Sequence, residues 1–154
     1  MALAEETEMT RGEIDEFLGR HETGVLALAR SDEPYAIPIS YGFDADERTF
    51  YMRLVSTPES QKRRFLASSP AARLVVYEEA AEGSVYRSVV ATGTLAEIPL
   101  NELTVERIEQ YGEAKRPLFE IWGRSTADLN IQLYRFVPDE LSGRLTEIDR
   151  EDGG

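Results

Sequence analysis

The chain of 154 residues has no cysteine and a single histidine, His21. The first absence excludes disulfides, zinc–thiolate sites and a cysteine nucleophile; the second excludes a multi-histidine metal centre within one chain. Lysine is almost as scarce, with Lys62 and Lys115 alone among 17 basic residues, and there is one tryptophan, Trp122. No apolar run is long enough to span a bilayer, and the opening MALAEETEMTRG lacks the basic and apolar regions of a secretory signal, so the expectation is a cytoplasmic protein with no membrane partner. Against those 17 bases stand 29 acidic residues, for a formal charge of −12. That excess repels nucleic acid. Combined with the preference for arginine over lysine, it points to a salt-adapted protein of a halophilic archaeon, the alternative being an ordinary acidic bacterial protein.

The chain is long enough to bury one substantial core, and no linker, repeat or low-complexity block divides it. Residues 1–9 and 150–154 read as disordered, leaving one domain over 10–149. Thr10-Arg11-Gly12-Glu13 has capping-box spacing, and Ile14, Phe17 and Leu18 follow at helical intervals, which predicts a helix over Arg11–Arg20. Strands are expected over Gly24–Arg30, Tyr35–Phe43 and Thr49–Leu54, then Ala72–Tyr77 and Tyr86–Ile98, with Leu129–Val137 and Arg144–Ile148 closing the series. Gly93 suggests a bulge or a bend at a barrel corner, and Pro38, which lacks an N–H, an edge, a bulge or a ligand-facing gap. Further helices are expected from Ser56 or Thr57 to about Ser68 and over Asn101–Tyr111, with Pro117–Trp122 a short helix or ordered loop. The fold class is mainly β with flanking helices, a small antiparallel barrel of about six strands.

Four of the basic residues fall between Arg53 and Arg64. With Thr57 as cap, the first turn of the following helix presents free N–H groups and the positive end of the dipole, and Ser60 adds a hydroxyl. Lys62 and Arg53 then read as anion ligands for a phosphate, and Arg63 and Arg64 as a solvated basic face. The stretch contains no P-loop motif. His21 reads as a surface or capping residue, and Tyr35, Tyr41 and Tyr77 as strand residues with buried rings and wet hydroxyls. No side chain stands out as an acid, base or nucleophile.

Taken in order, Pro34-Tyr35-Ala36-Ile37-Pro38-Ile39, Phe50-Tyr51-Met52-Arg53, Ser60-Gln61-Lys62, Ser69-Pro70-Ala71-Ala72-Arg73-Leu74-Val75-Val76 and Arg87-Ser88-Val89 with Gly93 resemble a known family. It is the pyridoxamine 5′-phosphate oxidase-like, FMN-binding split β-barrels, in particular the nitroimidazole-reductase-like branch. The resemblance implies a six-stranded antiparallel split barrel that binds FMN as a homodimer, with flavin at the subunit interface. It also implies that Arg53, Ser60, Gln61 and Lys62 hold the phosphate. Backbone groups of Ile37, Pro38 and Ile39 would face the isoalloxazine ring, Tyr51 and Met52 would lie along the ribityl chain, and Ser88 would stand near the flavin. Trp122 is a candidate to stack on it. Ala36 and Tyr41 stand where true pyridoxamine phosphate oxidases carry Arg and Lys, which argues against that activity. The expected function is electron transfer between flavin and a small organic substrate. The alternatives are a deazaflavin (F420)-dependent reductase on the same fold, or a flavin-binding or redox-sensing protein without turnover.

Overall fold

The computed structural model describes residues 3–56, 64–66, 71–98 and 130–149. Its helix α1 runs over Arg11–Arg20, as the capping box predicts. The Thr10 hydroxyl accepts from the Glu13 N–H at 3.2 Å, and the Glu13 carboxylate accepts from the Thr10 N–H at 2.9 Å. These bonds hold the Glu13 carboxyl below its ordinary range. Ile14, Phe17 and Leu18 form the buried stripe of the helix.

Among the described residues, eight strands make one antiparallel sheet: β1 (Leu3–Glu8), β2 (Thr23–Arg30), β3 (Glu33–Ser40), β4 (Gly42–Asp44), β5 (Thr49–Ser56), β6 (Ala71–Ala80), β7 (Val85–Glu97) and β8 (Asn130–Asp149). Their order is β3-β2-β6-β7-β8-β5-β4, with β1 also on β8. The sheet curls into the split barrel, and β3 and β5 approach each other without forming a ladder. Inward-facing residues alternate along each strand and fill one core around Leu26, Phe50, Met52, Leu74, Val76, Val89 and Phe136.

The strand count departs from the expected six in three places. Residues 3–9, expected to be disordered, are not, because β1 pairs with β8 from Leu3↔Asp149 to Glu8↔Arg144, and the Met9 N–H reaches the Gly143 carbonyl at 2.9 Å. Backbone pairing needs no apolar composition, so an acidic segment such as LAEETE takes a ladder wherever a strand edge is free. The single strand expected over Tyr35–Phe43 is broken at Tyr41. Its N–H turns to the Glu22 carbonyl and its hydroxyl donates to the Leu18 carbonyl, each at 2.9 Å, which locks β3 to α1. Burial pushes the Tyr41 hydroxyl pKa upward, and Glu22 adds to the shift. The two C-terminal strands are one, β8, bulged where the register against β7 shifts between Thr92 and Gly93. A Cβ on Gly93 would collide with the Val137 carbonyl and Pro138, so the close approach at the bulge requires glycine.

Tyr77 also departs from expectation: it is 70% exposed rather than buried. The helices expected over Asn101–Tyr111 and Pro117–Trp122 lie outside the described residues. Of the helix expected from Ser56 or Thr57, only the turn at residues 64–66 is described. Among the described residues, no helix is long and apolar enough to cross a membrane.

Candidate functional site

The split gives the barrel two free lips. Among the described residues, β3 is the terminal strand of the order, and β5 pairs with β4 only from Thr49 to Tyr51, so it has no described partner beyond that point on that side. Ile37, Pro38 and Ile39 lie on the first lip and Tyr51, Met52 and Arg53 on the second. The fold therefore brings these two sequence-predicted groups to facing edges. Their side chains divide by face. Ile39 and Met52 are buried in the main core, with Ile37 packed against it, while Pro38 is exposed. Tyr51 is buried in a small second cluster with Ile98 and Leu133, and its hydroxyl donates to Glu47 at 3.0 Å. What Ile39 and Met52 have left to offer a ligand in the split is backbone, whereas Tyr51 is paired with both Gly42 of β4 and Arg135 of β8. Arg53 takes the register position opposite Leu133 of β8.

The chain leaves β5 at Ser56 and is next described at Arg64. There Phe65 is buried and stacks on Tyr35 of β3, with ring centroids 4.8 Å apart and planes within 10°. The segment holding Ser60, Gln61 and Lys62 thus departs from one lip and is followed by a residue anchored on the other. Those three residues and Trp122 lie outside the described residues. Ser88 lies on β7, opposite Tyr77 of β6 and Arg144 of β8. That places it three strands from β3, about 14 Å across a regular sheet.

Between Pro38 and Tyr77 lies a cavity of about 330 Å³, lined by Thr23, Gly24, Val25, Pro38, Val75, Tyr77, Glu78 and Glu79. It exists because β2 and β6 pair only from Val25↔Val75 to Leu28↔Ala72 and then separate. Gly24 is needed at that divergence, since a Cβ there would lie 2.8 Å from the Val75 carbonyl oxygen. Val25, Val75 and Pro38 supply an apolar floor and Tyr77 an exposed ring.

Glu78 stands in the cavity wall and gathers three cationic or donor side chains. Arg20 reaches it at 2.6 Å and His21 at 2.8 Å, both from the C-terminal end of α1, and Arg87 reaches it at 3.0 Å from across the β6–β7 pair. The Arg20 hydrogen bond, opposed by burial and helped by His21 and Arg87, holds the Glu78 carboxyl down at about 2. Glu78 is therefore a neutralised anion tying α1 to the sheet, and the free carboxylate in the wall is Glu79. His21 caps α1, packs its ring at a tilt against Phe17 with centroids 4.5 Å apart and spends its Nε2 on Glu78. These surroundings suit the seating of a planar, partly apolar molecule and provide no acid–base pair. Among the described residues, no group of His, Asp or Glu is arranged to hold a metal.

The Glu78 cluster and the exposed Tyr77 escape the sequence reading. Arg20, His21, Glu78 and Arg87 are brought together only by the β6–β7 register and the docking of α1.

A family model described as pyridoxamine 5′-phosphate oxidase matches residues 10–145, most of the chain. The chain belongs to the pyridoxamine 5′-phosphate oxidase family. Solved structures agree with that membership at the level of the fold. An FAD-binding protein from Mesorhizobium loti superposes with a TM-score of 0.70 at 21% identity, covering 91% of this chain and 97% of its own. A candidate 5-nitroimidazole antibiotic resistance protein from Bacteroides thetaiotaomicron gives 0.68 at 13% identity, covering 97% of this chain and 96% of its own. The FAD-binding protein from Mycobacterium smegmatis gives 0.62 at 19% identity, with 92% and 98% covered. No curated protein matches the sequence. Within the pyridoxamine 5′-phosphate oxidase family, this chain keeps the split barrel, and among the described residues no ladder joins the two lips.

Proposed function

We propose that this chain is a flavoprotein that seats FMN at the split between β3 and β5 and transfers electrons between it and a small organic substrate. The observation that carries the reading is the convergence of Ile37–Ile39 and Tyr51–Arg53 on the two lips of a family barrel whose structural neighbours include two FAD-binding proteins. Unpaired strand edges offer N–H and C=O groups to a heteroaromatic ring. Pro38, having no N–H, leaves no buried donor unsatisfied there. Arg53 with Ser60, Gln61 and Lys62 would hold the phosphate by charge-assisted hydrogen bonds. Bound flavin supplies the redox chemistry, and the protein supplies orientation and a shielded setting.

The site is completed by a second copy of the chain in this reading. Ser88, three strands from the β3 lip, would then contact flavin across the subunit interface, where Ala36, Pro38 and Tyr77 are exposed on the same barrel. Trp122 is a further candidate contact.

The test is a visible absorption spectrum of the protein purified in high salt, with FMN, FAD and F420 titrated into the apo fraction. The reading expects a flavin spectrum or tight FMN binding, and oxidation of the reduced cofactor by nitroaromatic acceptors. Preference for FAD would keep the flavoprotein and change the cofactor, F420 binding alone would change the reaction, and binding of none would remove the claim. Arg53→Ala with Lys62→Ala should weaken FMN binding by roughly two orders of magnitude with the melting temperature unchanged.

A further inference from the structure

Tyr77 and Val137 are the large apolar side chains left exposed among the described residues, and Tyr77 is the barer of the two. Leaving an aromatic ring in water forfeits the gain from burying it. The ring stands at the cavity between β2 and β6, above the floor of Val25, Val75 and Pro38. The cavity of about 330 Å³ falls at the lower end of the range for small-molecule sites, room for one small ring system. Its shape is fixed by backbone, because β2 and β6 part beyond Val25↔Val75.

The charge of the wall divides by strand face. Glu78 is bonded to Arg20 and His21 at the end of α1 and to Arg87 of β7. Alternation turns Tyr77 and Glu79 to the other face, about 7 Å apart along β6. Glu79 is exposed and has no hydrogen bond or ion pair among the described residues. Neither Arg20 nor Arg87 lines the cavity. Arg73, on the same face of β6, lies on the far side of Val75, opposite Ala27, and outside the lining.

An apolar floor, the face of a phenol ring and one uncompensated carboxylate match a flat ring that bears positive charge. The floor takes the area of such a ring, Tyr77 attracts the cation through its π face, and Glu79 supplies the counter-charge. An anion would be repelled by Glu79, and a neutral ring would leave that carboxylate unused. The chain's charge of −12 adds to the bias by drawing cations to its surface.

We propose that this cavity is a binding site for a small planar organic cation, an aromatic ring carrying an amidinium or a charged ring nitrogen. Pro38 belongs both to the cavity floor and to the first lip of the split, which makes that cation the substrate presented to flavin. The role as substrate rests on the flavoprotein reading; the binding does not.

Benzamidine, benzamide and benzoate offer one flat shape as cation, neutral molecule and anion at neutral pH. They are titrated by calorimetry into wild-type protein, Glu79→Gln, Tyr77→Phe and Tyr77→Ala, with thermal melts confirming that each is folded. Wild type should prefer benzamidine to benzamide by about tenfold and bind benzoate least. Glu79→Gln should erase that preference. Tyr77→Phe should keep it, and Tyr77→Ala should weaken benzamidine about fivefold. Equal affinity for benzamidine and benzamide, no binding of benzamidine, or a preference that survives Glu79→Gln overturns the site. The same titration into protein loaded with FMN should shift the flavin absorption band. Binding without a shift overturns the role as substrate. Benzamidine binding to a protein that takes no flavin sustains the cation site while the flavoprotein reading fails. FMN binding without benzamidine binding overturns the cation site and leaves the flavoprotein standing.

Discussion

At the residue scale, single groups carry consequences out of proportion to their size. Glu78 is the acceptor for Arg20, His21 and Arg87, and its carboxyl titrates near 2 instead of the ordinary 4.5. A carboxyl depressed by folding stabilises the native state fully above its unfolded value and loses that contribution as pH falls through its folded one. Stability should therefore decline between about pH 4.5 and pH 2 in wild type, with Glu78 one source of the slope. Glu78→Gln should flatten that part of the curve and lower stability at pH 7 by roughly 2 kcal/mol, because two guanidinium groups lose their counter-charge. Urea titrations at stepped pH values would measure both, and an unaltered slope in the variant would assign the acid sensitivity elsewhere. Gly93 is a second such residue. Gly93→Ala should cost about 3 kcal/mol or more, since the new Cβ must displace backbone at Val137 and Pro138. A melting temperature equal to wild type would contradict the geometry of the bulge.

At the element scale, α1 is the part the sequence specifies most fully. Its cap, its buried stripe and both boundaries follow from Thr10-Arg11-Gly12-Glu13 and the spacing of Ile14, Phe17 and Leu18, all of which are local. Thr10→Ala should lower stability by about 1 kcal/mol, read as a shift in the denaturant midpoint with unchanged slope. The strands were less legible at their ends. The break at Tyr41 depends on acceptors in α1 and at Glu22, and β1 depends on an edge of β8 well over a hundred residues away. Nothing in LAEETE announces a strand, because a ladder is a property of the pair. The bulge was legible as Gly93, but not its partner at Pro138, which only the register supplies.

At the scale of the whole molecule, the charge of −12 is spread over a chain with few lysines, so the folded state carries a self-repulsion that salt should relieve. Raising KCl from 0.1 M to 1 M shortens the screening length from about 10 Å to about 3 Å. The melting temperature should rise with it. A flat or falling profile would show that acidic surface does not limit stability, and would weaken the salt-adapted reading drawn from composition. The candidate site also belongs to this scale. Two short stretches, Ile37–Ile39 and Tyr51–Arg53, were singled out in the sequence, and the barrel sets them on opposite lips of one split. Ser88 stands three strands away, and Arg135 gives no signal in the sequence because an arginine in an alternating strand looks like any solvent-facing position.

By itself, the sequence determined the class of the fold, the helix α1, most of the strands and the stretches that line the split. Those features rest on periodicity, capping and turn chemistry acting over a few residues, and on an ordered set of short motifs. Only the tertiary structure decided that Glu78 would gather Arg20, His21 and Arg87, that Tyr77 would be bare and that the Nε of Arg135 would be closed off from water without an acceptor. Each of these depends on which strand lies beside which and in what register. Register is set by the summed burial of a whole sheet, not by any residue that reports it.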